Sequence, residues 1–370
     1  MRQRGESSWE LRVYLGTDPE TGRRRYASRT VRGTKRAAQV ALAELVEQAA
    51  IAPAVGARST VAKLLGEWVA AASPSWSAST VRQVESVVRR HLFPRLGPVT
   101  VSELTTAQID ACYGELRRSG LSAGTVRRIH GVLHAALAQA MRWDWIWINP
   151  AATASPPRTT PTEMLPPTPK VVALLIEKTA TRDPALAVFF RLAASTGARR
   201  SQLLGLRWRD VDLDRATLSF VRGVVEGPHG PVLAPTKTGR TYQVTLDADT
   251  LSAVRKHSER CTMRAGDGFT LDAFVFSHDS DGAVPWRPNW VTKAFIDTRR
   301  VLGLPHFRLH DLRHFMATEM LNAGVAIPTV SARLSHARNS TTLNYYAHAV
   351  PSGDLHAAET IAAILTCAPR

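Results

Sequence analysis

The sequence predicts a multidomain, mainly α-helical protein with small β-sheets, and three observations carry that expectation. The chain has 370 residues, more than one hydrophobic core comfortably organises. Apolar residues between Thr60 and Arg142 recur at helical spacing, whereas short alternating runs near the N-terminus and after Trp208 read as strands. Six prolines crowd between Ala151 and Pro169, a composition that resists packing and favours extended geometry. The expected divisions are a small domain over residues 1–55, a helical domain over 59–150, a linker over 151–168 and a last domain over 169–370.

Residues 8–16 (SWELRVYLG) and 24–32 (RRYASRTVR) read as two short strands around a DPETG turn, followed by a helix from about Thr34 to Ala50. Arg23, Arg24 and Arg25 stand at that turn and are candidate nucleic-acid contacts, although a plain capping hairpin would look similar. From Thr60, the residues Val61, Leu64, Leu65, Trp68 and Val69 make one apolar stripe. A second helix opens at Ser79 with Val81, Val84, Val88 and Leu92 inward and ends at Gly97-Pro98. That leaves Arg82, Arg89 and Arg90 on or near the polar side, where they can meet phosphates. Two more helices follow, from about Gln108 to Arg118 and from about Ser122 to Arg142, with Arg117, Arg118, Arg127 and Arg128 flanking the turn between them. Ordinary solvated helix faces carry such pairs too. Trp143, Trp145 and Trp147 read as core or a helix-end plug. Beyond the linker, helical patterns lie near Pro169 to Ala180 and Pro184 to Ser195. ATLSFVRGVV and TYQVTL then read as strands either side of a break at EGPHGP, with Lys237 at the turn before the last strand. The remainder is mostly helical apart from residues 274–276.

The net charge is +16 and it is spread: +5 over residues 1–58 (11 basic, 6 acidic), +5 over 59–160 (11 basic, 6 acidic) and +6 over 161–370 (25 basic, 19 acidic). Positive charge on every segment suits a chain that wraps a polyanion along its length, so nucleic acid is the leading partner. GC-rich coding also inflates arginine and alanine, but it cannot place motifs. Cys112, Cys261 and Cys367 are odd in number and far apart, which gives neither a disulfide framework nor a zinc pattern and fits a reducing cytoplasm. No apolar run is long enough to span a membrane, and MRQRGESSWE lacks the apolar core of a signal peptide. The expectation is a soluble, cytoplasmic protein.

Four short motifs in the last third carry the chemistry. TGAR ends at Arg199, PTKTGR contains Lys237, HDLR runs from His310 to Arg313, and LSHARNSTTLNYYAH contains His336, Tyr345 and Tyr346. In this order they resemble the tyrosine recombinase (phage integrase) family. The resemblance implies a small α/β arm-binding domain, a four-helix, SAM-like core-binding domain and an α+β catalytic domain, the first two joined to the third as a clamp around DNA. It implies cutting and rejoining of double-stranded DNA at attachment sites through a 3′-phosphotyrosine and a Holliday junction, by a homotetramer on synapsed DNA, with no metal and no cofactor. A directionality factor and a host DNA-bending protein are further partners that such systems use. The N-terminal unit points to integration and excision of a mobile element, and residues 353–367 suit docking on a neighbouring protomer.

Attack of a side-chain oxygen on a phosphodiester concentrates negative charge on two nonbridging oxygens, so cations must be placed there beforehand. Arginine suits the task because its planar fork stays protonated and donates paired hydrogen bonds. Arg199, directly after T-G-x, and Arg313 match the family's two arginines. Arg200 diverges from Arg199 by about 100° on a helix and reads as a phosphate clamp or surface charge. Gln202 departs from the pattern, since members commonly carry a carboxylate there; an amide cannot form the same ion pair, though it still accepts a hydrogen bond. His310 and Arg313 lie i, i+3 at the start of a predicted helix, so both can face one pocket. His310 with His314 mimics a zinc pair, but Arg313 would crowd the ion and no Glu stands where a zincin's base belongs. By resemblance, His310 accepts the tyrosine proton or orients the phosphate, His336 donates to a phosphate oxygen, and Lys237 protonates the departing 5′-oxygen. Tyr346, ten residues after His336 and followed by Ala347-His348, matches the nucleophile, while a shorter spacing in other members selects Tyr345. Two alternatives share these motifs: a type IB topoisomerase-like relaxing enzyme, and a catalytically silent DNA-binding regulator, for which Gln202 is the hint.

Overall fold

The structure, a computed structural model, describes residues 1–5, 8–17, 24–50, 59–159, 166–227, 230–235 and 241–335, with a few positions between 358 and 365. They fall into two units, Met1–Thr162 and Glu163–Arg370.

In the first unit, β1 (Arg2–Gly5), β2 (Ser8–Thr17) and β3 (Arg24–Arg32) form an antiparallel sheet, followed by α1 (Lys35–Ala50). Strand alternation turns Leu11 onto Ala38 and Ala41 of α1, because a sheet this small needs a covering helix. β1 adds to the two strands expected. Its sequence RQRG has no apolar alternation to announce a strand, and pairing with β2 sets Arg2 opposite Glu10 while Arg4 makes a 2.7 Å ion pair to the same carboxylate.

A second core is shared by α2 (Val61–Ala72), α3 (Ala78–Val87), α4 (Phe93–Leu96), α5 (Thr106–Arg118) and α6 (Ala123–Arg142). Thr60, Ser77, Thr105 and Ser122 each accept the backbone N–H three residues on, satisfying a donor that a first helical turn leaves open. Ser77 rather than Ser79 therefore opens α3. Between α3 and α4 the chain widens into a π turn over Val88–Leu92. Pro94 supplies the reason: it lacks an N–H, and in an unbroken α-helix its ring would strike the carbonyl four residues back. Trp145 is buried and Trp143 packs beside it, ring centroids 5.7 Å apart, so this cluster closes the end of α6.

The proline-rich stretch begins as part of this core, not as a linker. Pro150–Ala152 is a 3₁₀ turn, Ala151 is fully buried, and the Ser155 N–H donates to Asp110 Oδ1 at 2.7 Å. Asn149 organises the turn by accepting the Ala151 N–H and donating to His134 O. Side-chain capping thus extends the helical domain past residue 150.

The second unit contains α7 (Pro169–Ala180), α8 (Pro184–Thr196), α9 (Arg200–Leu204), β4 (Val211–Asp212), β5 (Thr217–Phe220), β6 (Arg222–Glu226), β7 (Pro231–Pro235), β8 (Tyr242–Thr245), α10 (Ala248–Ala265), α11 (Pro288–Val301), α12 (Asp311–Asn322) and α13 (Ile327–Arg333). α8 runs through the core: Phe189 and Phe190 are fully buried and meet Phe276 and Phe295 edge to face. The expected single strand ATLSFVRGVV splits at Val221, so that β5 lies between β4 and β8 while β6 pairs with β7. β7 was not among the expected strands and starts at the last residue of the expected break EGPHGP; its prolines sit at its two ends, where a missing N–H interrupts no interior ladder. Residues 274–276 form no strand and are held by the isolated bridge Arg207↔Phe274 and by burial.

Candidate active site

The site starts where α8 stops. Gly197 adopts a left-handed conformation (φ 65°), and a Cβ there would lie 2.2 Å from Met316 Cε, so only glycine turns the chain at this point. Arg199 follows in extended geometry (φ −69°, ψ 148°) and opens α9. Its N–H donates to Gln202 Oε1 at 2.9 Å, and the same oxygen accepts the Tyr242 hydroxyl at 3.1 Å. The amide of Gln202 therefore supports the Arg199 backbone, while the Arg199 guanidinium bonds to no other described residue and lines an open cavity of about 420 Å³.

Arg313, in the first turn of α12, lines the same cavity from deep in the fold, 4% exposed. It donates to Gly197 O at 2.5 Å and to Leu334 O at 2.7 Å, tying the turn before Arg199 to the segment that leads to His336. His310 holds the N-cap position of α12 without a side-chain capping bond and lines the same cavity. Protein crowding on one side of its ring, then the charges of His314, Arg313 and Arg199, push its pKa down to about 4, against a weaker opposing pull from Asp311. The solvent-facing edge moderates the burial contribution, and the cationic neighbours keep the direction downward. Near pH 7 this imidazole is neutral and can accept a proton. Asp311 braces the helix start: burial alone would raise its pKa, but hydrogen bonds from the Arg308 side chain and backbone hold it below the ordinary carboxylate value.

Of the six candidate catalytic residues, the structure brings Arg199, His310 and Arg313 together; Lys237, His336 and Tyr346, with Tyr345, lie outside the described residues. Arg200, read from the sequence as a phosphate clamp or surface charge, lines the same cavity and is also tied into the fold. Its guanidinium turns inward to Pro288 O at 3.0 Å and to the Thr292 hydroxyl, pinning α9 to α11, and burial lowers its pKa. The i+1 direction on α9 faces a neighbouring helix, which no helical wheel reveals. Arg333 was not anticipated either: it donates to Ser195 O at 3.0 Å and Thr245 O at 3.1 Å, docking α13 on the ends of α8 and β8.

Among the candidate DNA contacts, Arg89, Arg90, Arg127 and Arg128 are exposed and Arg82 is half-buried. Arg24 and Arg25 pair with Thr17 and Gly16 at the open end of the sheet, and Arg23 lies outside the described residues. The reading by charge clusters missed the outer sheet face, where Arg12 stacks 4.5 Å over the Tyr26 ring and Tyr14 lies edge-on to Tyr26 at 5.7 Å. Tyr14 is 52% exposed and Tyr26 38%, a surface able to take a base or sugar against an aromatic ring. Alternation in SWELRVYLG, which puts Arg12 and Tyr14 opposite Leu11, was the available signal. Among the described residues no helix is long and apolar enough to cross a membrane.

A cavity lined by Arg199, Arg200, Arg308, Arg313 and His310 is cationic and suits a phosphate that gains negative charge. Comparison with known proteins agrees with that chemistry. The model of the phage integrase family matches residues 168–352, and that of the phage integrase central domain matches residues 61–155. A tyrosine recombinase XerC-like protein of Caldanaerobacter subterraneus is 24% identical over 287 residues, 70% of this chain and 71% of its own. The ICEBs1 integrase of Bacillus subtilis is 21% identical over 349 residues, 93% and 94% of the two chains. The fold is shared with the Tn1549 transposon integrase in complex with circular intermediate DNA (TM-score 0.70, 20% identity, 82% of this chain and 99% of that one). It is shared too with a lambda integrase tetramer bound to a Holliday junction (TM-score 0.59, 19% identity, 91% and 97%). The chain belongs to the phage integrase family of tyrosine recombinases, enzymes that break and rejoin DNA.

Proposed function

We propose that this chain integrates and excises a mobile element by cutting and exchanging DNA strands at attachment sites, through a 3′-phosphotyrosine on Tyr346 and a Holliday junction. The observation that supports this reading most directly is the cavity where Arg199 and Arg313 converge with a neutral His310. The scissile phosphate binds there, with the open Arg199 fork on a nonbridging oxygen and Arg313 beneath it. Tyr346 attacks in line as His310 takes its proton or orients the phosphate, His336 donates to an oxygen, and Lys237 protonates the departing 5′-oxygen. Rejoining reverses these steps on a new 5′-hydroxyl, and the energy kept in the phosphotyrosine removes any need for ATP.

The remaining parts receive matching roles. The helical domain grips the crossover site with Arg89, Arg90, Arg127 and Arg128, and the N-terminal sheet reads distant arm sites with the face bearing Arg12, Tyr14 and Tyr26. Four copies act on two duplexes, as the tetrameric lambda integrase complex suggests. A nicked suicide duplex carrying the attachment site tests the chemistry: wild-type chain traps a covalent adduct, Tyr345→Phe still does and Tyr346→Phe does not. An adduct that survives Tyr346→Phe but is lost in Tyr345→Phe moves the nucleophile. No adduct from wild type refutes the reaction.

A further inference from the structure

Gln202 makes two specific hydrogen bonds in this chain. A backbone N–H only donates, so the atom facing the Arg199 N–H is the amide oxygen, and the Tyr242 hydroxyl 3.1 Å from that oxygen must then be the second donor. Gln202 is 3% exposed, and both acceptor positions of its oxygen are occupied. Tyr242 is equally constrained. Its ring stacks on Phe220, its cross-strand partner in β5, at 5.0 Å and 28°. It opens β8, and residues 236–240, including Lys237, lie just before it in the chain. Burial pushes its pKa up against the pull of Arg313 and Arg199, so the phenol keeps the proton that it donates.

We propose that Tyr242 and Gln202 are a positioning pair that locks the Arg199 backbone to β8, the strand that Lys237 precedes by five residues in the sequence, so that the arginine and the lysine reach the scissile phosphate in register. The inference rests on the recombinase reading above. A carboxylate could accept the same two bonds, but it would subtract a charge beside Arg199; the amide makes the link and leaves the cavity's positive charge whole. The pair touches no substrate and acts through Arg199 and Lys237.

The test uses the full chain in single-turnover cleavage of a nicked suicide duplex bearing its attachment site. A second duplex carries sulfur in place of the departing 5′-oxygen; a thiolate leaves without a proton and so bypasses Lys237. Tyr242→Phe and Gln202→Met should slow cleavage by roughly ten- to a hundredfold while DNA affinity changes less than about threefold, and Gln202→Glu, which keeps the acceptor, should recover most of the rate. The sulfur duplex should restore Tyr242→Phe but not Gln202→Met, whose loss lies at Arg199. Unchanged cleavage in both variants, a defect that Gln202→Glu fails to relieve, or a sulfur duplex that restores neither overturns the pair. An active wild type beside unaffected variants removes only this inference, whereas a wild type that forms no adduct removes the recombinase reading as well.

Discussion

Arg199 and Arg313 face one cavity and are held in opposite ways. Arg199 is presented by its backbone: the Gly197 turn aims it, Gln202 anchors its N–H, and its guanidinium has no other described partner. Arg313 is part of the frame it serves, buried and bonded to the carbonyls of Gly197 and Leu334. The proposed reaction gives both residues the same chemical task, but only Arg313 also ties the walls of the pocket together. Substitutions should therefore separate chemistry from stability at Arg199 and combine them at Arg313.

The largest effect is expected at Arg313. Arg313→Ala strands two buried carbonyls that now receive charge-assisted bonds, and should lower unfolding free energy by about 2–5 kcal/mol in urea titration as well as abolish adduct formation. Arg199→Ala should slow adduct formation on the order of a hundred- to a thousandfold while changing unfolding by less than about 0.5 kcal/mol. Equal destabilisation by the two would erase the contrast. Next comes Gly197→Ala, which strains a left-handed residue and drives a Cβ to 2.2 Å from Met316 Cε and 3.0 Å from Leu334 Cδ2. It should cost about 1–3 kcal/mol, read by calorimetry, and a neutral outcome would mean that the turn does not hold Arg199.

The smallest effect concerns pH. His310 has a folded pKa of about 4 against an ordinary 6.5, so between those values the unfolded chain binds the extra proton and stability rises with pH across that window. Buried His257, bonded through Nε2 to Val275 O, is pushed by desolvation to about 4 as well and contributes a slope of the same sign. His310→Asn should flatten part of the acid-side slope in pH-dependent unfolding. A slope identical to wild type would assign the effect to His257 and the other histidines held below their ordinary pKa, His91, His130 and His314.

Much of this molecule was legible from local sequence. The stripe Val61, Leu64, Leu65 and Trp68 is buried as its spacing required, α6 starts at the Ser122 cap, and the catalytic-unit helices begin at Pro169 and Pro184. Errors fell where a distant partner overrides local preference: β1 exists because β2 offers it an edge, β7 because β6 does, and residues 150–155 stay folded because Asn149 and Asp110 hold them. The site divides in the same way. TGAR and HDLR named Arg199, His310 and Arg313, but neither motif could show that Gln202 supports Arg199 together with Tyr242, or that Arg200 belongs to the frame.

Periodicity, caps and motif order set the helices, the basic character of every segment and the candidate reacting groups, because each depends on residues a few positions apart or on residue type alone. The load each group carries came from packing between remote segments: Arg313 reaches a carbonyl 116 residues away and Arg333 one 138 residues away. Buried backbone carbonyls must find donors, and which side chain answers is settled only when the chain has closed around them.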